Sequence, residues 1–224
     1  MKQYIVTPTY NERENIQRLL TRLTQAVPDA RVLVVDDGDD GTAEAAEALG
    51  AEVLRRQGKQ GLASAYVQGM QLALDRGATA VVQMDADLSH DPADVPRLFA
   101  SDAELAIGSR YVPGGGTVNW PLHRKLLSRG GSLYSRLSLG LQYRDLTGGF
   151  KRWSAPLLSQ VLSRPIESGG YAFQVEMTLR AHRLGARIEE LPIVFTEREE
   201  GVSKMSRDIA IEAALLIPRL RFRR

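Results

Sequence analysis

Apolar residues in the first half of the chain alternate between two periods. Tyr4 to Thr7 is a short run of strand formers broken by Pro8-Thr9-Tyr10-Asn11, with Asn11 placed to cap a following helix. Ile16, Leu19, Leu20, Leu23 and Val27 then recur at helical spacing until Pro28-Asp29 ends the pattern. A second strand, Arg31 to Val35, runs through Asp36-Asp37-Gly38-Asp39-Asp40-Gly41-Thr42 into an alanine-rich helix, Ala43 to Leu49, closed by Gly50. Glu52 to Leu54 is a third strand, followed by a flexible turn from Gln57 to Gly61. Leu62, Ala65, Tyr66, Gly69, Met70 and Ala73 mark the next helix, which Gly77 ends. Ala80 to Met84 has the composition of a strand buried on both faces. This rhythm predicts an α/β domain: a Rossmann-like, mostly parallel central sheet wound by right-handed crossovers, with helices on both faces.

The second half is less regular. Pro92 to Ala100 reads as a short helix and Glu104 to Gly108 as a strand. Residues Tyr111 to Arg124 contain Gly114-Gly115-Gly116 and two prolines, which predicts a long mobile loop. Helices are expected over Ser128 to Leu139, Pro156 to Leu162 and Phe173 to Leu184, and a strand over Arg187 to Phe195. No repeat or low-complexity linker interrupts the chain, so residues 1–208 are expected to form one domain. Residues 209–224 add an amphipathic segment and the basic tail Pro218-Arg219-Leu220-Arg221-Phe222-Arg223-Arg224. A tail of this kind suits an anionic membrane surface or plain solvation, and both readings stand.

Composition removes several function classes. With no cysteine, disulfides and thiolate metal sites are excluded, and three scattered histidines argue against a zinc cluster. A net charge of +2 over 224 residues is not that of a polybasic nucleic-acid binder. The opening Met1-Lys2-Gln3-Tyr4-Ile5-Val6 runs directly into a strand, and no stretch approaches the ~20 apolar residues that cross a bilayer. The chain is therefore expected to be soluble or peripheral.

The candidate chemistry collects where strands end. Asn11 and Glu12 follow the first strand, Asp36 and Asp37 the second, Asp85 and Asp87 the fourth, and Ser109-Arg110 the fifth. Ligands bind at this edge of open α/β sheets, so a nucleotide pocket is the natural interpretation. Asp85 and Asp87, one residue apart, can turn toward one hard cation, and their oxygen donors favour magnesium or manganese over zinc. Asp-x-Asp before Pro92 is equally the composition of a turn and helix cap. There is no G-x-G-x-x-G opening a helix and no G-x-x-x-x-G-K-[ST], so phosphates would have to be held through a metal. Arg110, Arg124, Lys125 and Arg129 form a basic group. Arg124 and Ser128, four apart on a helix, share a face that could grip an anion.

In this order, the motifs resemble the dolichol-phosphate mannosyltransferase group of the inverting family 2 glycosyltransferases, which have the GT-A fold. The resemblance runs from Pro8-Thr9-Tyr10-Asn11-Glu12-Arg13-Glu14-Asn15 to Ser203-Lys204. Between these lie Val35-Asp36-Asp37, Gly58-Lys59-Gln60-Gly61-Leu62 and Asp85-Ala86-Asp87-Leu88-Ser89-His90-Asp91-Pro92. Gly108-Ser109-Arg110-Tyr111, Asp145 to Lys151, Tyr171 to Met177 and Arg198 to Lys204 follow. The resemblance implies that Pro8, Tyr10, Glu12, Val35 and Asp37 line a nucleoside pocket. It implies that Asp85, Ala86 and Asp87 meet a metal and diphosphate, with Ser89 near the metal. Arg198 and Lys204 would close over the donor phosphates, and Arg110, Arg124 and Ser128 would take a lipid phosphate. The family commonly reads Asp-Asp-x-Ser-Pro-Asp-Gly-Thr where this chain has the shorter Asp36-Asp37-Gly38-Asp39-Asp40-Gly41-Thr42, which loosens the expectation for the base.

What the resemblance implies is a metal-dependent transferase using Mg2+ or Mn2+, moving mannose from GDP-mannose to a polyprenyl (dolichyl) phosphate. The expected place is the cytoplasmic face of a membrane, reached peripherally or through a membrane partner protein, with no nucleic acid involved. UDP-glucose or UDP-N-acetylglucosamine is the alternative donor. A non-catalytic nucleotide-sugar-binding subunit is the alternative of another class.

Overall fold

The computed structural model describes residues 1–170, 172–197 and 216–222. Its elements run β1 (Gln3–Thr9), α1 (Arg13–Ala26), β2 (Arg31–Asp36), α2 (Thr42–Ala48), β3 (Glu52–Arg55), α3 (Leu62–Asp75) and β4 (Ala80–Gln83). A 3-10 turn (Pro92–Asp94) then leads into α4 (Val95–Ala100), β5 (Leu105–Ser109), β6 (Gly116–Val118), α5 (Leu122–Leu139), β7 (Lys151–Ser154) and α6 (Ala155–Leu162). The remaining elements are α7 (Ala172–Arg183), β8 (Ile188–Pro192) and β9 (Val194–Thr196).

Seven strands form one sheet in the order β3-β2-β1-β4-β7-β5-β8, parallel except that β7 runs antiparallel to both β4 and β5. The chain leaves β1 toward β2 and β3, then returns to place β4 on the other side of β1. The strand order therefore reverses between β1 and β4, and a crevice opens at their carboxyl ends. Alternate side chains feed two cores. Tyr4, Val6, Leu33 and Val35 pack with Tyr66, Met70 and Phe173 on one face, while Ile5, Val34 and Val82 pack with Ile16, Leu19 and Phe150 on the other.

Helix α3 approaches β1 and β2 through Gly69, where an added β-carbon would sit 2.6 Å from both Val35 Cγ2 and Val6 Cγ1. Both neighbours are β-branched and stiff, so Gly69→Ala is expected to destabilise the domain by about 1–3 kcal/mol. Urea unfolding of the variant checks this; an unchanged midpoint would mean that the helix shifts freely.

Several boundaries differ from expectation. Asn11 does not cap α1: it lies at φ 56°, and its Oδ1 accepts from Asp39 N. The first turn of α1 is held instead by Asp40, whose Oδ2 accepts from Arg13 N at 3.2 Å. The expected mobile loop 111–124 is largely structured, because β6 pairs with β9 and α5 begins at Leu122, directly after Pro121. Its glycines serve close approach: a β-carbon on Gly115 would lie 2.5 Å from Ser109 O. The single strand expected over Arg187 to Phe195 is two, β8 in the main sheet and β9 in the small one. β7 was not expected at all. Residues 216–222 are helical, and Ile217 and Leu220 pack with Leu141, Tyr143, Leu146, Val175 and Leu179. Arg183 Nη2 donates to the carbonyls of Leu220 and Arg221. Residues 209–215 and 223–224 lie outside the described residues.

Candidate active site

The loops after β1 and β2 lock together. Thr9 Oγ1 donates to Asp36 Oδ1 at 2.7 Å, Asp37 N donates to Thr9 O, and a β-carbon on Gly38 would collide with Asn11 Oδ1 at 2.6 Å. Pro8 and Val35 are direct partners across the strand pair. Glu12 N donates to Thr42 Oγ1, and Glu12 Oε2 accepts from Asn15 Nδ2. Tyr10 is more than one third exposed at the mouth, with Lys59 Nζ 4.9 Å from its ring centre. Asp37 carries a partner that the sequence did not announce. Its two oxygens accept from Arg56 Nε and Nη2 at 2.6 Å each, and one also accepts from Gln60 N. Arg56 is thus buried beside the expected nucleoside pocket and ties the Gly58–Gly61 turn to β2.

Past β4, Asp85 Oδ1 accepts from the buried Tyr66 hydroxyl at 2.7 Å. Burial, then the Asp85 charge, raise the Tyr66 phenol well above its ordinary value, so it is a fixed donor. Asp85 N donates to His90 Nδ1, which puts the imidazole hydrogen on Nε2. The ring is stacked 4.8 Å from Phe150, and burial holds its pKa down. Asp87 Oδ1 accepts from Ser89 N at 3.1 Å, closing the turn across Leu88, which sits at φ 60°. Ala86 and Ser89 are buried beneath the turn. Among the described residues, no group of three or more His, Cys, Asp or Glu is arranged to hold a metal. The hard oxygen donors of Asp85 and Asp87 suit magnesium or manganese, which keep water and substrate phosphate oxygens in their shells, rather than zinc.

On the other side of the crevice, Arg110 enters a buried pair. Its Nε and Nη2 donate to the two oxygens of Asp145 at 2.7 Å each, its backbone N donates to Oδ2, and Nη2 also reaches Thr147 Oγ1. Around it, three guanidinium groups share two aromatic rings. Arg110 lies 5.1 Å from Tyr111 and 5.4 Å from Trp120, Arg124 lies 4.6 Å from Trp120, and Arg129 lies 5.5 Å from Tyr111. Ser128 Oγ accepts from Tyr111 OH at 2.7 Å, and Arg124 Nη1 donates to Glu197 Oε1 at 2.6 Å. The structure therefore places Arg110, Arg124 and Ser128 around Tyr111 and Trp120, with Asp145 and Glu197 as partners the sequence did not reveal. Arg198 and Lys204 lie outside the described residues.

A polar network fills the sheet behind Asp85. Lys151 Nζ donates to Gln174 O, Gln174 Oε1 and Thr178 Oγ1, three acceptors for the three hydrogens of an ammonium. Burial pulls Lys151 down to about 7 while Asp145 pulls it up. Gln83 and Trp153 complete the network.

The chain matches the glycosyl transferase family 2 domain over residues 4–159. It is 48% identical to the undecaprenyl-phosphate mannosyltransferase of Micrococcus luteus, covering 98% of this chain and 93% of that one. It is 44% identical to the polyprenol monophosphomannose synthase of Mycolicibacterium smegmatis, covering 90% and 80%. In fold it is similar to glucosyl-3-phosphoglycerate synthase from Mycobacterium tuberculosis, crystallised with Mn2+, UDP and glucosyl-3-phosphoglycerate. The TM-score there is 0.70 at 19% identity, over 98% of this chain and 78% of that one. The sheet order, the strand-end carboxylates and these matches agree: the chain has the GT-A fold and belongs to glycosyltransferase family 2.

Proposed function

We propose that this chain is a polyprenyl-phosphate mannosyltransferase that moves mannose from GDP-mannose to a polyprenyl (dolichyl) phosphate, with inversion, at the cytoplasmic face of a membrane. The names of the two relatives described above support the acceptor class and the sugar. The observation that carries the reading is the cluster of Arg110, Arg124, Arg129 and Ser128 at the foot of α5, a helix whose outer face is leucine. A phosphate held there would have its hydrocarbon chain beside an apolar surface.

A lipid monophosphate needs no general base, because its second pKa is about 6 and its oxygens are already ionised near neutrality. One of them attacks the anomeric carbon, the new C–O bond forms there, and the bond to the diphosphate breaks with its electron pair leaving on GDP. Arg124 and Arg129 would align the incoming phosphate, and Arg110, fixed by Asp145, would add charge that offsets repulsion between the two anions. Asp85 and Asp87 would hold a divalent cation, which when bound supplies positive charge for the departing diphosphate. Arg198 and Lys204 would serve the same phosphates, and Pro8, Tyr10, Glu12, Val35 and Asp37 would border the nucleoside. Calorimetric titration tests the donor: GDP-mannose is expected to bind more tightly than UDP-glucose or UDP-N-acetylglucosamine, and the reverse order would overturn the guanosine assignment.

Among the described residues, no helix is long and apolar enough to cross a membrane. Leu122, Leu126, Leu133 and Leu137 are 71%, 63%, 51% and 72% exposed, and their spacing puts them in one narrow stripe of α5, flanked by Arg129. Such a helix lies in the headgroup region with its leucines among the acyl chains. In the tail, Leu220 is buried in the domain while Phe222 is exposed, and Arg221 Nη1 donates to Ser138 O at the same end of α5. The double variant Leu126→Glu, Leu133→Glu is expected to reduce flotation with phosphatidylglycerol-containing vesicles by about tenfold or more. Unchanged flotation would remove α5 from the membrane contact.

A further inference from the structure

The buried amide of Gln174 borders the active-site crevice and has a free donor. Gln174 is 4% exposed, and its Oε1 accepts from Lys151 Nζ at 3.1 Å and from Gln83 Nε2 at 2.9 Å. Gln83 is itself fixed, since its Oε1 accepts from Trp153 Nε1, a group that can only donate. Gln83 Nε2 therefore donates and Gln174 Oε1 accepts, so the orientation of both amides is determined from the Trp153 end. Nε2 of Gln174 therefore faces away from its anchors, and it has no hydrogen-bond partner among the described residues.

Gly149 shows where it points. A β-carbon on Gly149 would lie 3.4 Å from Gln174 Nε2 and 3.7 Å from each carboxylate oxygen of Asp85. One small gap, left by the missing side chain of a partly exposed glycine, is thus bordered by an acceptor and a donor. A hydroxyl both donates and accepts, so this pair complements it on both counts. We propose that Gln174 and Asp85 together grip one hydroxyl of the donor's hexosyl group, Gln174 donating and Asp85 accepting, and that Gly149 must lack a side chain to admit it. This inference rests on the sugar-nucleotide reading given above and makes Gln174 a specificity-determining residue of the glycosyl subsite.

Gln174→Glu is the diagnostic change, because its carboxylate still accepts from Lys151 and Gln83 but replaces the free donor by an acceptor. Gly149→Ala fills the gap without touching either anchor. Titration calorimetry on the full chain, with GDP and with GDP-mannose, separates glycosyl contacts from nucleotide contacts. Both variants are expected to bind GDP-mannose about 10- to 100-fold more weakly than wild type, while GDP binding stays within about twofold. Variants that bind GDP-mannose as wild type does, or that lose GDP to the same degree, overturn the proposal. A wild type that prefers UDP-glucose overturns the donor assignment alone, and the same ratio taken with UDP and UDP-glucose then decides the subsite. A wild type that binds neither sugar nucleotide overturns both.

Discussion

Asp85→Ala and Asp85→Asn are each expected to lower glycosyl transfer by about 100- to 1,000-fold, the loss typical of removing one preorganised charge-stabilising group. The carboxylate stands one third exposed at the carboxyl end of β4, so little of the fold rests on it. Among the described residues, its one side-chain donor within 3 Å is the Tyr66 hydroxyl at 2.7 Å. Asn at this position keeps an oxygen for Tyr66 and replaces the other, together with the charge, by an NH2 group. The Asn variant should therefore melt within about 2 °C of wild type, because a neutral hydrogen bond contributes only about 1 kcal/mol and Asn retains it. Steady-state rates with saturating GDP-mannose, read beside melting curves, separate chemistry from folding. Wild-type rates in the Asn variant would show that the charge at Asp85 serves no part of the transfer.

Asp145→Ala is expected to have the largest effect on stability. Asp145 is fully buried and accepts from Arg110 N, Nε and Nη2 and from Gly148 N, so its removal takes the carboxylate away from a buried guanidinium. Breaking a buried pair in this way costs about 3–5 kcal/mol, or roughly 10 °C in melting temperature for a domain of this size. The pH dependence carries a definite sign. Burial by itself would raise the Asp145 carboxyl, but the Arg110 charge and its hydrogen bonds outweigh that and hold it below its ordinary value. With the folded pKa below the unfolded value of about 3.9, the unfolded chain binds the proton first. The stabilisation is then fully present above pH ~4 and is lost as the pH falls through the folded pKa. The gap in melting temperature between wild type and Asp145→Ala should accordingly be wide at pH 7 and close progressively below pH ~4. A gap that stays constant over that range would mean that Asp145 is not a charged partner of Arg110.

The parallel half of the sheet was legible because each of its strands is a short apolar run and each of its helices repeats at 3.6 residues. Tyr4 and Val6 face one core and Ile5 the other, which is why β1 reads as continuous rather than alternating. β7 was hidden for the opposite reason. Lys151-Arg152-Trp153-Ser154 looks like surface, yet Lys151 and Trp153 are fully buried, and the partners that make this tolerable, Gln174, Gln83 and Thr178, are distant in sequence. Long-range pairs were illegible in the site as well. Arg110 and Arg124 could be singled out as cations, but nothing local says that Asp145 and Glu197 hold them, or that Asp37 holds Arg56. Pro121 and the run Gly114-Gly115-Gly116 read as loop formers. In the structure, Pro121 precedes α5, and Gly115 packs against the Ser109 carbonyl.

The central claim is that mannose reaches a lipid phosphate. Its most direct measurement is mass spectrometry of the lipid phase after incubation with GDP-mannose and a polyprenyl phosphate. The account predicts a polyprenyl-phosphate mannose of inverted anomeric configuration, formed in step with GDP release. A lipid phase that gains no mannose, or that gains a hexose only when a UDP-sugar is supplied, would contradict it.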